Sequence, residues 1–236
     1  MIKYLFFTLC LCCVLPLQAQ LFSGDPVINK PNFDKQRWSW GYFLGFNTYD
    51  FDFDYNTRDM NDKYLGKDFS VDRTIGFNVG LVGNLRLNDH FDLRLEPGVS
   101  FNQINFQFFK ADGDSFREIN QTYVHIPLLL KFSTTRINNF KPFIVGGFST
   151  SLNLSSNENN PDDNTQGQFR MTTNSYYYEI GFGIDFYLYY FKFTPSIRGV
   201  FALNDQLIRD DDPNSVFTRK VDKMSTRGIF INFTFQ

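Results

Sequence analysis

The chain has 236 residues, 42% of them hydrophobic and 19% aromatic, with a formal charge of -2 and a mean hydropathy of -0.29. The near-neutral balance and pI of about 5.7 leave no basic stripe of the kind nucleic-acid binding needs, which excludes a nucleic-acid partner. All three cysteines, Cys10, Cys12 and Cys13, lie in the first apolar run, so disulfides, thiol catalysis and cysteine metal sites are excluded from the rest of the chain.

The opening residues carry a lone Lys3, an apolar run from Tyr4 to Leu17 and a small residue at Ala19. This is the pattern of a secretory signal peptide, expected to span residues 1–19 and to be cleaved after Ala19. The run is too short for a bilayer-spanning helix, and polar sequence follows at once. Residues 20–37, with Pro26 and Pro31, read as an extended periplasmic tail with the capacity to touch a partner.

From Trp38 onward the dominant signal is alternation. In WSWGYFLGFN, Trp38, Trp40, Tyr42, Leu44 and Phe46 oppose Ser39, Gly41, Gly45 and Asn47. In residues 74–88, Ile75, Phe77, Val79, Leu81, Leu85 and Leu87 oppose Gly76, Asn78, Gly80, Asn84, Arg86 and Asn88. The next segment sets Phe91, Leu93, Leu95, Val99 and Phe101 against Asp92, Arg94, Glu96, Ser100 and Asn102, and residues 176–188 repeat the scheme. Period two is the mark of strands with one apolar face. Such segments recur near 38–53, 74–88, 91–108, 119–134, 140–155, 172–188, 191–204 and 225–236.

The connections alternate in length: 54–73, 109–118, 156–171 and 205–224 are long and polar, whereas 88–90, 135–139 and 189–190 are tight. The strands run to about 12 to 17 residues, well beyond the usual roughly 5 to 6. A soluble sandwich or lipocalin-like barrel alternates too, but it places charges and long polar chains on the outer face. Here the polar face is crowded with Gly, Ser and Asn, which suits a narrow enclosed interior. The expected fold is therefore all-β: an eight-stranded antiparallel up-and-down transmembrane β-barrel over residues 38–236, apolar outside and polar inside. Lipid permits no open sheet edge, so Arg227 to Gln236 must pair with the first strand. Outer-membrane lipid is the expected surrounding.

One stretch departs from the simple scheme. In YDFDFDY the apolar parity changes, with Tyr49, Phe51, Phe53 and Tyr55 on one face and Asp50, Asp52 and Asp54 on the other. The rings are expected to join an upper aromatic girdle at the outer interface, leaving an acidic rim exposed to water or headgroups. A helix-loop-helix calcium loop also begins D-x-D-x-D but needs Gly at its sixth position and Glu at its twelfth, where this chain has Tyr55 and Asn61. The three carboxylates remain weak metal candidates only, and no cofactor is expected.

The inward positions include Arg86, Arg94, Glu96, His125, Lys131, Glu179, Asp185 and Arg198, a set of both signs. An eight-stranded lumen is just wide enough for side chains to fill, so these groups are expected to pair as a polar plug. His125 and His90, the two histidines, stand in no metal-ligand spacing. No Ser, His and acid pattern singles out a hydrolase, and Gly181-Phe182-Gly183 lacks the third glycine of a nucleotide loop. The chain is expected to be non-enzymatic. Residues Ser156 to Gln168 are too polar to bury and are expected to be mobile, and RDDDPNS, Arg209 to Ser215, is acidic and turn-forming.

The runs NFDKQRWSWGYFLGFNTYDF, YVHIPLLLKF, YYYEIGFGIDFYL, YFKFTPSIRGVFALN and RGIFINFTFQ resemble the PorT (also called SprT) family of outer-membrane β-barrels. The IPLLLKF and IGFGIDF elements are shared by many small porin-like barrels, whereas the opening and terminal strands and PSIRGVFALN are more particular. The resemblance implies a role in type IX protein secretion and gliding motility, with other secretion-system components as partners. It carries over no catalytic or binding residue. The alternative is a generic structural or adhesive outer-membrane barrel.

Overall fold

The computed structural model describes residues 27–55, 69–108, 115–160, 170–209 and 221–236. The expected signal peptide, residues 20–26 of the tail, residues 161–168 of the loop after Ser156 and residues 210–215 lie outside them. Ten strands form one sheet: β1 Trp38–Tyr55, β2 Phe69–Arg73, β3 Ile75–Arg86, β4 Phe91–Leu95, β5 Gly98–Phe108, β6 Ser115–Ser133, β7 Phe140–Asn153, β8 Asn174–Tyr187, β9 Lys192–Ala202 and β10 Val221–Phe235.

Two pairs of these are single staves. Between β4 and β5 the ladder lapses at Glu96 and Pro97, where proline has no N–H to donate, and the register on either side is unchanged. Between β2 and β3 the pairing to β5 moves from Arg73↔Ile104 to Phe77↔Phe101, so one extra residue is accommodated near Thr74 as a β-bulge. The result is a ring of eight antiparallel staves, closed where β1 pairs with both β10 and β3.

The register gives the shape. Stepping across the sheet from Asp50 through Arg227, Phe201, Tyr178, Phe148, Leu128, Leu95 and Gly83 returns to β1 at Trp40. One circuit thus descends ten residues, from position 50 to position 40. Such a shear forces the strands to tilt by about 40° from the barrel axis. Rows of neighbouring side chains therefore spiral down the wall instead of circling it.

The faces follow the alternation. Asn78, Asn84, Arg94, Glu96, Ser100, Glu179 and Asp185 are buried inside, whereas Ile75, Leu81, Ile126, Ile144, Ile180 and Phe182 stand exposed on the outer wall. Where large rings point inward, glycines make the room. A Cβ on Gly80 would lie 2.5 Å from the Phe43 ring, and one on Gly183 would lie 2.5 Å from that of Phe143.

Two expectations are corrected here. The alternation of β1 does not change parity: Ser39, Phe43, Asn47, Tyr49 and Phe51 all face in, so these rings are lumen core and not a lipid-facing girdle. Asp50, Asp52 and Asp54 consequently point outward. The backbone period holds at two, and it is the character of the side chains that inverts. Second, the segment from residue 27 is not extended. It turns through a 3-10 helix, Phe33–Lys35, and docks beneath the end of the barrel that carries the short turns.

Candidate functional site

The interior is built in layers along the axis. Nearest the short turns, Asp185 receives Lys131 Nζ at 2.5 Å and Thr194 Oγ1 at 2.7 Å, with Lys192 Nζ at 3.8 Å. The Phe143 ring lies under both Lys131 Nζ, at 4.2 Å, and the Arg94 guanidinium, at 5.5 Å. In the middle, Glu96 accepts from Arg94 at 3.2 Å and Arg198 at 2.7 Å, while Glu179 meets Arg198 Nε at 2.9 Å and His125 Nε2 at 2.7 Å. On the opposite wall Asn78 bonds Asn232 at 2.6 Å.

On the described staves the buried cations Arg94, Lys131, Lys192 and Arg198 share the lumen with the buried carboxylates Asp92, Glu96, Glu179 and Asp185, and Arg170 is buried at the loop end. Burying such charges is tolerable only with partners of opposite sign and good hydrogen bonds. The free volume beside Glu96, His125 and Arg198 is about 10 Å³, room for one water at most. Of the candidates from the sequence, Arg94, Glu96, His125, Glu179 and Arg198 converge in one network, and Lys131 with Asp185 forms its neighbour. Arg86 does not join them: it stands half-exposed at the mouth and pairs with Asp89. Lys192, the first residue of β9 after a tight turn, is a member that the sequence reading did not single out.

Toward the long loops the lining becomes aromatic. Tyr49, Tyr123, Tyr177 and Phe230 pack together, with the Tyr49 ring 5.7 Å from Tyr123 and 5.6 Å from Phe230. Gln206 descends from its loop to donate to the Tyr177 hydroxyl at 2.9 Å, and its carbonyl accepts from Thr226 N at 2.9 Å and from the Thr226 hydroxyl. Met171 and Leu207, both buried, form a bridge across the same opening, and Arg170 ties the two loop bases together through Arg209 O at 2.8 Å. Ser156 is bonded too, its hydroxyl donating to Met171 O at 2.8 Å, so the base of the loop expected to be mobile is anchored. No periodic signal marks Gln206 or Met171, because both sit in loops.

The other mouth is covered by residues 27–37. Arg136, on the β6–β7 turn, donates to Lys30 O at 3.3 Å, to Asp34 Oδ2 at 3.3 Å and to Asn29 O. Its guanidinium lies 3.7 Å from the Tyr187 ring centroid, and Tyr187 donates its hydroxyl proton to Asp34 Oδ1 at 2.5 Å. Phe33 packs edge-on against Tyr187 and beneath Lys192 Nζ at 4.7 Å. Among the described residues the lumen is thus filled along its length and covered at both ends.

The outward carboxylates form no metal cage. Asp50 Oδ2 is taken up by Arg73 Nη2 at 2.8 Å and Arg227 Nε at 2.9 Å, and Asp52 stands 3.9 Å from Arg227. Among the described residues no three His, Cys, Asp or Glu side chains are grouped to hold a metal ion.

The model of the outer membrane protein beta-barrel domain family matches residues 18–207. The chain belongs to that family. Its staves, closed and apolar outside, are the membrane-crossing part of the barrel; no described helix is long and apolar enough to cross. In barrels of this kind the short turns face the periplasm and the long loops the outside. Comparison with curated proteins finds no match. Among solved structures the barrel is similar to the outer membrane protein OprG of Pseudomonas aeruginosa, at 16% identity over 83% of this chain and 94% of that one, with a TM-score of 0.48. Neisserial surface protein A is similar at 10% identity over 84% and 98%, with a TM-score of 0.45. The outer membrane enzyme PagL is similar at 10% identity over 82% and 98%, with a TM-score of 0.36.

Proposed function

We propose that this barrel is a non-enzymatic outer-membrane component of type IX secretion and gliding motility that acts by holding or assembling other components. The observation that carries the mode of action is the sealed lumen. A bore filled by Arg94, Glu96, Lys131, Glu179, Asp185 and Arg198, with about 10 Å³ free beside Glu96 and about 20 Å³ beside Asp185 and Lys192, has no passage for a folded protein or a substrate. Work must then be done by surfaces: the long loops, the outer rim, or the periplasmic cover of residues 27–37. The interior histidine and carboxylates have partners but no room beside them for a reacting group, which speaks against catalysis there. The assignment to type IX secretion rests on the resemblance of the opening and terminal strands and of PSIRGVFALN to the PorT family.

Deletion of the gene tests it. Type IX cargo should accumulate in the periplasm and return to the surface on complementation. Removal of the Ser156 to Gln168 tip, or of residues 27–37, should leave insertion intact and show by its secretion phenotype which side meets the partner. Normal secretion in the null strain would leave the second reading, a generic structural or adhesive barrel, of which the family match supports the outer-membrane barrel alone.

A further inference from the structure

The outer wall carries a polar group where an apolar band should end, and a recess leads down from it. Arg73 and Arg227 flank Asp50 from the two neighbouring staves, and all three point outward. Both guanidinium groups remain about half or more exposed, at 62% and 49%, while the carboxylate that joins them is 16% exposed. Two residues further toward the periplasm on each stave stand Ile75, Thr48 and Ile229, so the arginines sit at the outer edge of the hydrocarbon band. One half-buried carboxylate shared by two cations leaves donors of each guanidinium turned to the surroundings. Arginine forks of this kind match phosphate oxygens.

Below them a groove of about 290 Å³, between Thr48, Arg73, Arg227, Phe201 and Ile229, meets a larger apolar recess of about 630 Å³ at Phe201. The larger recess follows the row Ile229, Gly199, Ile180, Gly146, Leu130, whose members are in register on successive staves. Gly146 leaves the wall open on one side of Ile180, while on the other the Phe201 ring packs over Gly199, 2.9 Å from where a Cβ would stand. Phe201, Tyr178 and Phe148 form one bank, and Ile197, Phe182 and Ile144 the other. Because the shear carries every such row downward, the recess runs obliquely from the headgroup level into the membrane.

We infer that this face holds one phosphorylated lipid of the outer leaflet, its phosphate on Arg73 and Arg227 and an acyl chain in the recess past Gly199 and Gly146. Arginines at the top, apolar walls below and the Phe201 ring shared by the two cavities argue for that occupant. Asp50 competes with a phosphate for donors of both arginines, and Asp52 and Asp54, on the same outward row above, bound the site on its outer side.

The test is native mass spectrometry of the full folded barrel released from nanodiscs of phosphatidylcholine doped with diphosphoryl lipid A. Wild type should retain lipid A in preference to phosphatidylcholine, and millimolar inorganic phosphate should not displace it. R73Q/R227Q should lower retention by about fivefold for each arginine lost. G146L should also lower it with both arginines present; an added Cβ there meets only Glu179 O at 3.8 Å, so the barrel has room for it. D50N keeps both cations and should hold lipid A at least as well as wild type, which supplies a reading even if the double variant fails to insert. Equal retention of the two lipids by wild type, or loss of lipid A from D50N, would overturn the site. Displacement by inorganic phosphate, with G146L indistinguishable from wild type, would overturn the lipid in favour of a surface anion contact.

Discussion

Arg198 Nη1 donates to Glu96 Oε2 across 2.7 Å, although the two residues are 102 positions apart and stand on opposite sides of the lumen's central layer. The same Glu96 accepts from Arg94, and the same Arg198 reaches Glu179, so one contact links the β4–β5 break to β8 and β9. Replacing Glu96 with Leu leaves buried Arg94 without a carboxylate, and replacing Glu179 with Leu leaves His125 without one and Arg198 with Glu96 alone. Breaking such a pair should cost about 3 to 5 kcal/mol. Urea unfolding of the barrel in detergent, followed by the loss of its folded electrophoretic form, measures it; wild-type stability in both variants would refute the network as a structural element.

Outside, the expected penalty has a different origin. Phe182 and Val79 project from the apolar band, and an arginine there must be drawn into hydrocarbon. Substitution at either should cost about 2 to 4 kcal/mol near mid-membrane. Folding titrations into lipid vesicles would show it, and an unchanged midpoint would mean that this face is not in lipid.

Gly80 and Gly98 face each other across β3 and β5 with the Phe43 ring against both, 2.5 Å and 2.7 Å from the positions a Cβ would take. Gly80→Val should therefore press on the ring and on the backbone at Pro97 O, 2.4 Å from the Cβ position, and destabilise by about 1 to 3 kcal/mol, the usual range for overpacking. Combining it with Phe43→Ala should recover part of the loss. A double variant no better than the single one would show that the ring is not the obstacle.

The periplasmic cover hangs on few groups. Arg136→Ala removes donors to Lys30, Asp34 and Asn29 together with the cation over Tyr187. Residues 27–37 should then exchange amide hydrogens and be cleaved by added protease much faster, while the strands stay protected. Equal protection in variant and wild type would place the hold on the cover elsewhere.

Much of this was legible in the alternation, because a stave with lipid on one side and a crowded lumen on the other must sort its side chains at every second position. Asn78, Arg94, Glu96, Glu179 and Asp185 could be placed inward on that ground alone. The rule fails where its physical basis ends. Tyr49 and Phe51 lie at the outer edge of the band, where the outer face meets polar surroundings and the lumen turns aromatic, so apolar character no longer marks the outside. Asp34, Tyr187 and Arg136 were opaque for another reason: their contact joins positions 153 and 102 residues apart, and no local pattern encodes it. Gln206 and Met171 reach the lumen from loops, where period carries no information.

A barrel that is filled and covered can act only through its surfaces. Single-channel recording of the purified, folded protein in planar bilayers tests it most directly. Wild-type protein should give no conductance steps above the bare bilayer at moderate voltage. Stable, reproducible steps from wild-type protein would show an open path through the lumen and contradict the account.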